Sequence, residues 1–142
     1  MRNFAVFINP GFANKAEIFG LLYRLMEEDK AQNTSGQKLR FFGDCSQNEI
    51  LRDPVQIVDF ESSESFQRVD CILVFGGDGT ILKAKDLAIK TNAPILGINL
   101  GYLGFLSEST LPEISASIRD LVAGRYNILS RMLISCQLKR AG

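Results

Sequence analysis

The chain has 142 residues, enough for one domain of the usual roughly 100–200 residues. Hydrophobic residues make up 46% of it and charged residues 23%, ordinary globular usage with enough apolar side chain to bury a core. Sixteen basic and sixteen acidic side chains cancel, so no strong field favours nucleic acid or an anionic membrane.

Residues 4–8, Phe4-Ala5-Val6-Phe7-Ile8, read as a short buried strand stopped by Asn9-Pro10-Gly11. This run is too short for a signal peptide or a membrane span, and no later apolar run is long enough to span either. A helix is expected from Asn14, where Asn14 and Glu17 have capping-box spacing and Ile18, Leu21, Leu22 and Leu25 form an apolar stripe. Residues 33–36 are a loop and 38–42 read as a second strand. Ser46 and Glu49 repeat the capping-box spacing over a short helical turn that Pro54 ends, and 55–60 reads as a third strand. Residues 62–65 are a polar connection.

Residues 71–75 form an apolar strand that runs into Gly76-Gly77-Asp78-Gly79-Thr80 and a helix-like stretch at 81–89. The next strand is expected at 94–98. Thr110 and Glu113 form a third capping box, ahead of a helix with Ile114, Ile118, Leu121 and Val122 on one face and Gly124 at its close. This order predicts an α/β fold with a mostly parallel sheet and helices on both faces. Residues 127–139 are β-rich and partly alternating. They read as the first strand of a second domain, with closure of the same sheet as the alternative. The expected division is therefore 1–125 and 126–142.

The three cysteines, Cys45, Cys71 and Cys136, are odd in number and widely spaced, and there is no histidine. A structural zinc site and a disulfide framework are not expected, and a reducing cytoplasm is the simplest compartment. Cys71 and Cys136 read as small buried hydrophobes. Without histidine, any general base must be a carboxylate, lysine or tyrosine.

The glycine turn carries the chemistry. Glycine loses more chain entropy on folding than any other residue, so three in one strand–helix turn suggest close backbone approach to something. Bare N–H groups at a helix start are a cradle for phosphate, and Thr80 is placed to cap the helix. Asp78, the only ionisable group in the turn, suits proton removal better than anion binding. The alternative is a tight connection in which Asp78 merely caps the helix. A second glycine stretch, Gly97-Ile98-Asn99-Leu100-Gly101-Tyr102-Leu103-Gly104-Phe105-Leu106, follows the next strand. Ends of neighbouring strands share one crevice in a doubly wound sheet, and Tyr102 and Phe105 could wall a base or ribose.

Together the two motifs resemble the ATP-NAD kinases, also called polyphosphate/ATP-NAD kinases. The stretch from Gly124-Arg125-Tyr126 through Arg131-Met132-Leu133 resembles that family's entry into its second domain. The resemblance implies a Rossmann-like, phosphofructokinase/NAD kinase-like N-terminal domain. It also implies transfer of a phosphoryl group from ATP or polyphosphate to the 2′-hydroxyl of the adenosine ribose of NAD. Asp78 matches the catalytic carboxylate. Gly76, Gly77, Gly79, Thr80, Lys83, Asn99, Phe105 and Leu106 match positions that bind the nucleotides. A divalent ion such as Mg²⁺ would be held by the nucleotide, with no metal ligand from the protein. A homo-oligomer is implied for the full-length protein. Diacylglycerol and sphingosine kinases share the first motif and phosphofructokinases have a similar first loop, but neither shares the second stretch. A lipid kinase domain and a non-catalytic nucleotide-binding fragment are the competing readings. The family's second, β-rich domain with its Asn-Glu motif is not matched here, since Asn48-Glu49 precedes the glycine turn. The 142 residues are thus expected to have little activity alone.

Overall fold

Six parallel strands form one sheet in the order β3-β2-β1-β4-β5-β6. The computed structural model describes residues 1–61, 68–100, 109–137 and 139. The strands are β1 (Asn3–Ile8), β2 (Arg40–Asp44), β3 (Val55–Val58), β4 (Cys71–Phe75), β5 (Ile95–Asn99) and β6 (Ser109–Thr110). Helix α1 (Lys15–Gln32) connects β1 to β2, α2 (Asp78–Thr91) connects β4 to β5, and α3 (Ile114–Val122) follows β6.

The alternation of side chains along a strand explains why the sheet is covered twice. Phe4, Val6 and Ile8 of β1 share one core with Leu73 and Phe75 of β4, and that core is closed by Ile18, Leu22 and Leu25 of α1 and Ile114, Ile118 and Leu121 of α3. Ala5, Ile72 and Val74 face the other way and pack with Ile81 and Ala84 of α2. Every residue of β4 is buried, as expected of a central parallel strand. Two ion pairs reinforce the first face, one tying the N-terminal segment to α1 and the other tying α3 to α1. Arg2 Nη1 donates to both carboxylate oxygens of Asp29 at 2.8 and 2.7 Å, and Arg119 bonds Glu28 at 2.7 Å.

Several local expectations change. The helix α2 starts at Asp78, not at residue 81, with Gly77 as its N-cap and no side-chain cap. Thr80 therefore lies inside the first turn and is not the cap. At α1 the Asn14 side chain donates to Glu17 Oε2 at 3.0 Å instead of bonding the helix backbone, so the capping-box spacing forms no box. The short turn after β2 is the 3₁₀ segment Cys45–Gln47, capped by Asp44, which accepts from Ser46 N at 3.0 Å. It is not a Ser46–Glu49 box. At Thr110 the box does form, with Glu113 Oε2 accepting from Thr110 N at 3.1 Å. Strand β2 begins at Arg40 because its pairing with β1 begins there, opposite Asn3. The strand β6, with only two residues, is too short to leave a pattern in the sequence.

The last segment departs most. Its described residues form no strand and join neither edge strand, β3 or β6. Ile128, Leu129, Met132, Leu133 and Ile134 are 60–86% exposed. Without a neighbouring backbone to bond, a β-prone sequence has no ladder to enter. Cys136 is correspondingly exposed rather than buried, while Cys71 is buried as expected.

Candidate active site

All six strands are parallel, so their C-terminal ends share one edge. The strand order reverses between β1 and β4, the place where an open α/β sheet opens a crevice for ligands. The turn 9–12 flanks that point on one side and the Gly76–Thr80 turn on the other. Asn9 N donates to Phe75 O at 2.8 Å, and Gly76 N donates to Ile98 O at 3.0 Å. The ends of β1, β4 and β5 are thus bonded in series directly below the glycine turn.

The three glycines have different reasons to be there. A Cβ on Gly76 would overlap the side chain of Thr80, which is 8% exposed and folds back over Gly76. Gly76 is required by internal packing. A Cβ on Gly77 or Gly79 would meet nothing within 4 Å. Neither has a positive φ, so neither the backbone nor the packing demands glycine at those two positions. Gly79 sits in the first turn of α2, where glycine costs about 1 kcal/mol relative to alanine. Open space above two glycine backbone units, at the positive end of the α2 dipole, suits an anion approaching closely.

Asp78 is the first residue of α2 and is half-buried. Lys83 is exposed and lies four residues after Gly79, so the two share one helix face. Asn99 ends β5 at the same sheet edge, in register with Thr110. Gly76, Gly77, Asp78, Gly79, Thr80 and Asn99 are therefore brought to one edge, with Lys83 a turn further along α2. Thr80 contributes by packing on Gly76. Phe105 and Leu106, with Tyr102, lie outside the described residues. The two glycine motifs alone put the crevice between β4 and β5. The topology adds the Asn9-Pro10-Gly11 turn, whose only signal in the sequence is its role as a strand stop.

Among the described residues one group could offer three ligands to a metal: Asp44, Cys45 and Asp59, whose donor atoms lie within 4.8 Å of one another. Both carboxylate oxygens of Asp44 already accept backbone bonds, from Phe60 N at 3.2 Å and Ser46 N at 3.0 Å. Partial desolvation, and then the neighbouring carboxylates, hold the Cys45 thiol above its ordinary pKa. That group is occupied in local structure. No helix among the described residues is long and apolar enough to cross a membrane.

Comparison with known proteins agrees with this geometry. Residues 9–126 match the ATP-NAD kinase N-terminal domain. The NAD kinase of Clostridium tetani is 31% identical over all 142 residues, which correspond to 46% of its own length. The NAD kinase of Geobacter sp. strain M21 is 40% identical over 82 residues, 58% of this chain and 28% of that protein. The chain thus spans less than half the length of these relatives. A yeast NADH kinase solved with NADH superposes with a TM-score of 0.62 over 88% of this chain and 39% of its own, at 19% identity, a likeness of fold. The chain belongs to the ATP-NAD kinase N-terminal domain family.

Proposed function

We propose that this chain is the catalytic half of an NAD kinase, which moves the γ-phosphoryl group of ATP to the 2′-hydroxyl of the adenosine ribose of NAD. The observation that carries this reading is the pair Gly77 and Gly79, glycines that the fold does not need, with Asp78 between them at a helix start. In this reading the N–H groups of the turn hold phosphate oxygens. Asp78 accepts the proton of the 2′-hydroxyl as its oxygen bonds to the γ-phosphorus. The bond from that phosphorus to the β–γ bridging oxygen breaks and ADP leaves. Catalysis then rests on positioning and on placing one base, the usual division of labour in phosphoryl transfer.

The Gly76–Thr80 turn offers a single carboxylate, which is not a cage for a cation. A divalent ion such as Mg²⁺ belongs in this reading to the nucleotide as part of the substrate, where it neutralises phosphate charge. Lys83 and Asn99 are assigned to the dinucleotide, as are Phe105 and Leu106. ATP is the favoured donor, with polyphosphate as the other candidate. Residues 1–125 form the α/β unit, and the exposed apolar run after Tyr126 is assigned to a β-rich second domain that completes the site and the subunit contacts of a homo-oligomer. Three free cysteines and the absence of a membrane-spanning helix among the described residues accord with a cytoplasmic enzyme.

The test is NADP formation by the full-length protein, coupled to an NADP-specific dehydrogenase. Asp78→Asn is expected to lower kcat by about 10²–10⁴ while ATP and NAD still bind in calorimetry, because only the base is lost. Full turnover in Asp78→Asn would remove Asp78 from the mechanism.

A further inference from the structure

Gln47 is a glutamine with 5% of its surface exposed, and its amide does one thing. Its Oε1 accepts from Ile8 N at 3.0 Å and its Nε2 donates to Ile8 O at 2.7 Å. Ile8 is the last residue of β1. In a parallel strand alternate residues bond to opposite neighbours. Arg40 N bonds Arg2 O on the β2 side, and Asp70 N bonds Asn3 O on the β4 side. By this alternation along β1, the N–H and C=O of Ile8 point toward β2. The β1–β2 pairing ends at Ala5 with Phe42, and the chain then turns into Cys45–Gln47. The Gln47 side chain supplies the missing rung.

The crevice begins directly after Ile8. Asn9 N is bonded to Phe75 O, and Asn9 itself shapes the turn: its side chain accepts from Gly11 N at 3.0 Å and its carbonyl from Phe12 N at 3.1 Å. Phe75 leads straight into Gly76, whose N–H is bonded to Ile98 O. Gln47 is in turn held from below, its carbonyl accepting from Ile50 N at 3.0 Å and Leu51 N at 2.9 Å. A continuous set of bonds therefore runs from the 3₁₀ turn through the ends of β1, β4 and β5. We infer that Gln47 is a positioning residue for the phosphate crevice: by completing the end of β1 it fixes the turn 9–12 against the Gly76–Thr80 turn. The catalytic consequence rests on the kinase reading, and the structural part on the hydrogen bonds alone.

Gln47→Glu tests it. A protonated glutamic acid presents C=O and O–H where the amide presents C=O and N–H, whereas the carboxylate cannot donate to Ile8 O and is repelled by it. Burial raises the pKa of such a carboxyl above the ordinary value of about 4.3, so the protonated form persists toward neutral pH. In the full-length protein the kcat of Gln47→Glu relative to wild type is expected to be about tenfold down at pH 8 and to recover as pH falls toward about 5.5, with the KM for NAD within about threefold. Gln47→Leu, which keeps the volume, should show the loss at every pH. Amide hydrogen exchange gives a readout that needs no activity: Ile8, Asn9 and Gly76 should lose protection together in Gln47→Glu at high pH and regain it at low pH. A pH-independent ratio near one, or loss of protection at Ile8 that stops short of Gly76, would overturn the inference. If the wild-type protein forms no NADP, the kinase reading falls, and the exchange pattern still decides whether Gln47 orders the crevice.

Discussion

The Thr80 side chain occupies the space that a Cβ on Gly76 would need. The first glycine and the threonine of the turn are therefore one packing unit, which locks the end of β4 to the first turn of α2. Gly76→Ala must push Thr80, Phe75 or the helix start aside. Overpacking of this kind costs about 1–3 kcal/mol. Urea unfolding of Gly76→Ala should show that loss. Thr80→Ala removes the Oγ1 and Cγ2 contacts but keeps the Cβ, which would still be only 2.6 Å away, so the double variant should recover part of the loss and no more.

Gly77 and Gly79 should behave in the opposite way. Added methyl groups there meet open space, and α2 gains helix propensity at 79. Gly79→Ala is expected to leave stability unchanged or raise it by up to about 1 kcal/mol, and Gly77→Ala to lower it by about 0.5–1 kcal/mol, no more than the N-cap preference for glycine over alanine. Both should weaken ATP or NAD binding in calorimetry by about tenfold or more, since the methyl stands where a phosphate would approach the backbone. Stability losses beyond these, falling in parallel with binding, would mean that these glycines serve the fold after all.

Much of this arrangement is legible in the sequence because its signals are local. The Cys71–Phe75 strand has the right bounds, since an unbroken apolar run between a polar stretch and a glycine turn has few other uses. The α1 stripe at Ile18, Leu21, Leu22 and Leu25 is buried as its period requires. Features that depend on distant chain segments are not legible. Gln47 bonds a residue 39 positions away, and nothing around it marks it as a strand substitute. The reversal of strand order between β1 and β4, which makes Asn9-Pro10-Gly11 a wall of the crevice, exists only in the assembled sheet. Asn14 shows the converse failure, with capping-box spacing but a side chain bonded to Glu17 instead of the backbone.

The exposed apolar run gives a prediction about the domain boundary. Ile128, Leu129, Met132, Leu133 and Ile134 are not held in the sheet, so chymotrypsin should cut between about residues 126 and 134 before any bond within α1, α2, α3 or the six strands. Mass spectrometry of the early fragments would show it. The product ending near Tyr126 should keep the melting temperature of the 142-residue chain, because α3 already closes the core with Ile114, Ile118 and Leu121. Early cleavage in α1 or α2 would place the weak point elsewhere.

Cys71 makes the alkaline limb of the stability curve diagnostic. Burial pushes its thiol up to about 12 from an ordinary value of 9.0. The unfolded chain releases this proton near pH 9 and the folded chain keeps it until about pH 12. Above pH 9 the folded state therefore binds more protons, and stability falls as pH rises until the folded thiol itself ionises. Below pH 9 the group contributes no slope. By about pH 10.5 the loss should reach roughly 2 kcal/mol, read as a drop in urea midpoint. Cys71→Ala costs some packing at all pH values but should flatten this limb, whereas Cys136→Ala, at an exposed position, should leave it as steep as in the parent chain. Thiol labelling checks the same point independently. In the native chain at about pH 8, Cys45 and Cys136 should react and Cys71 should not, until denaturant exposes it.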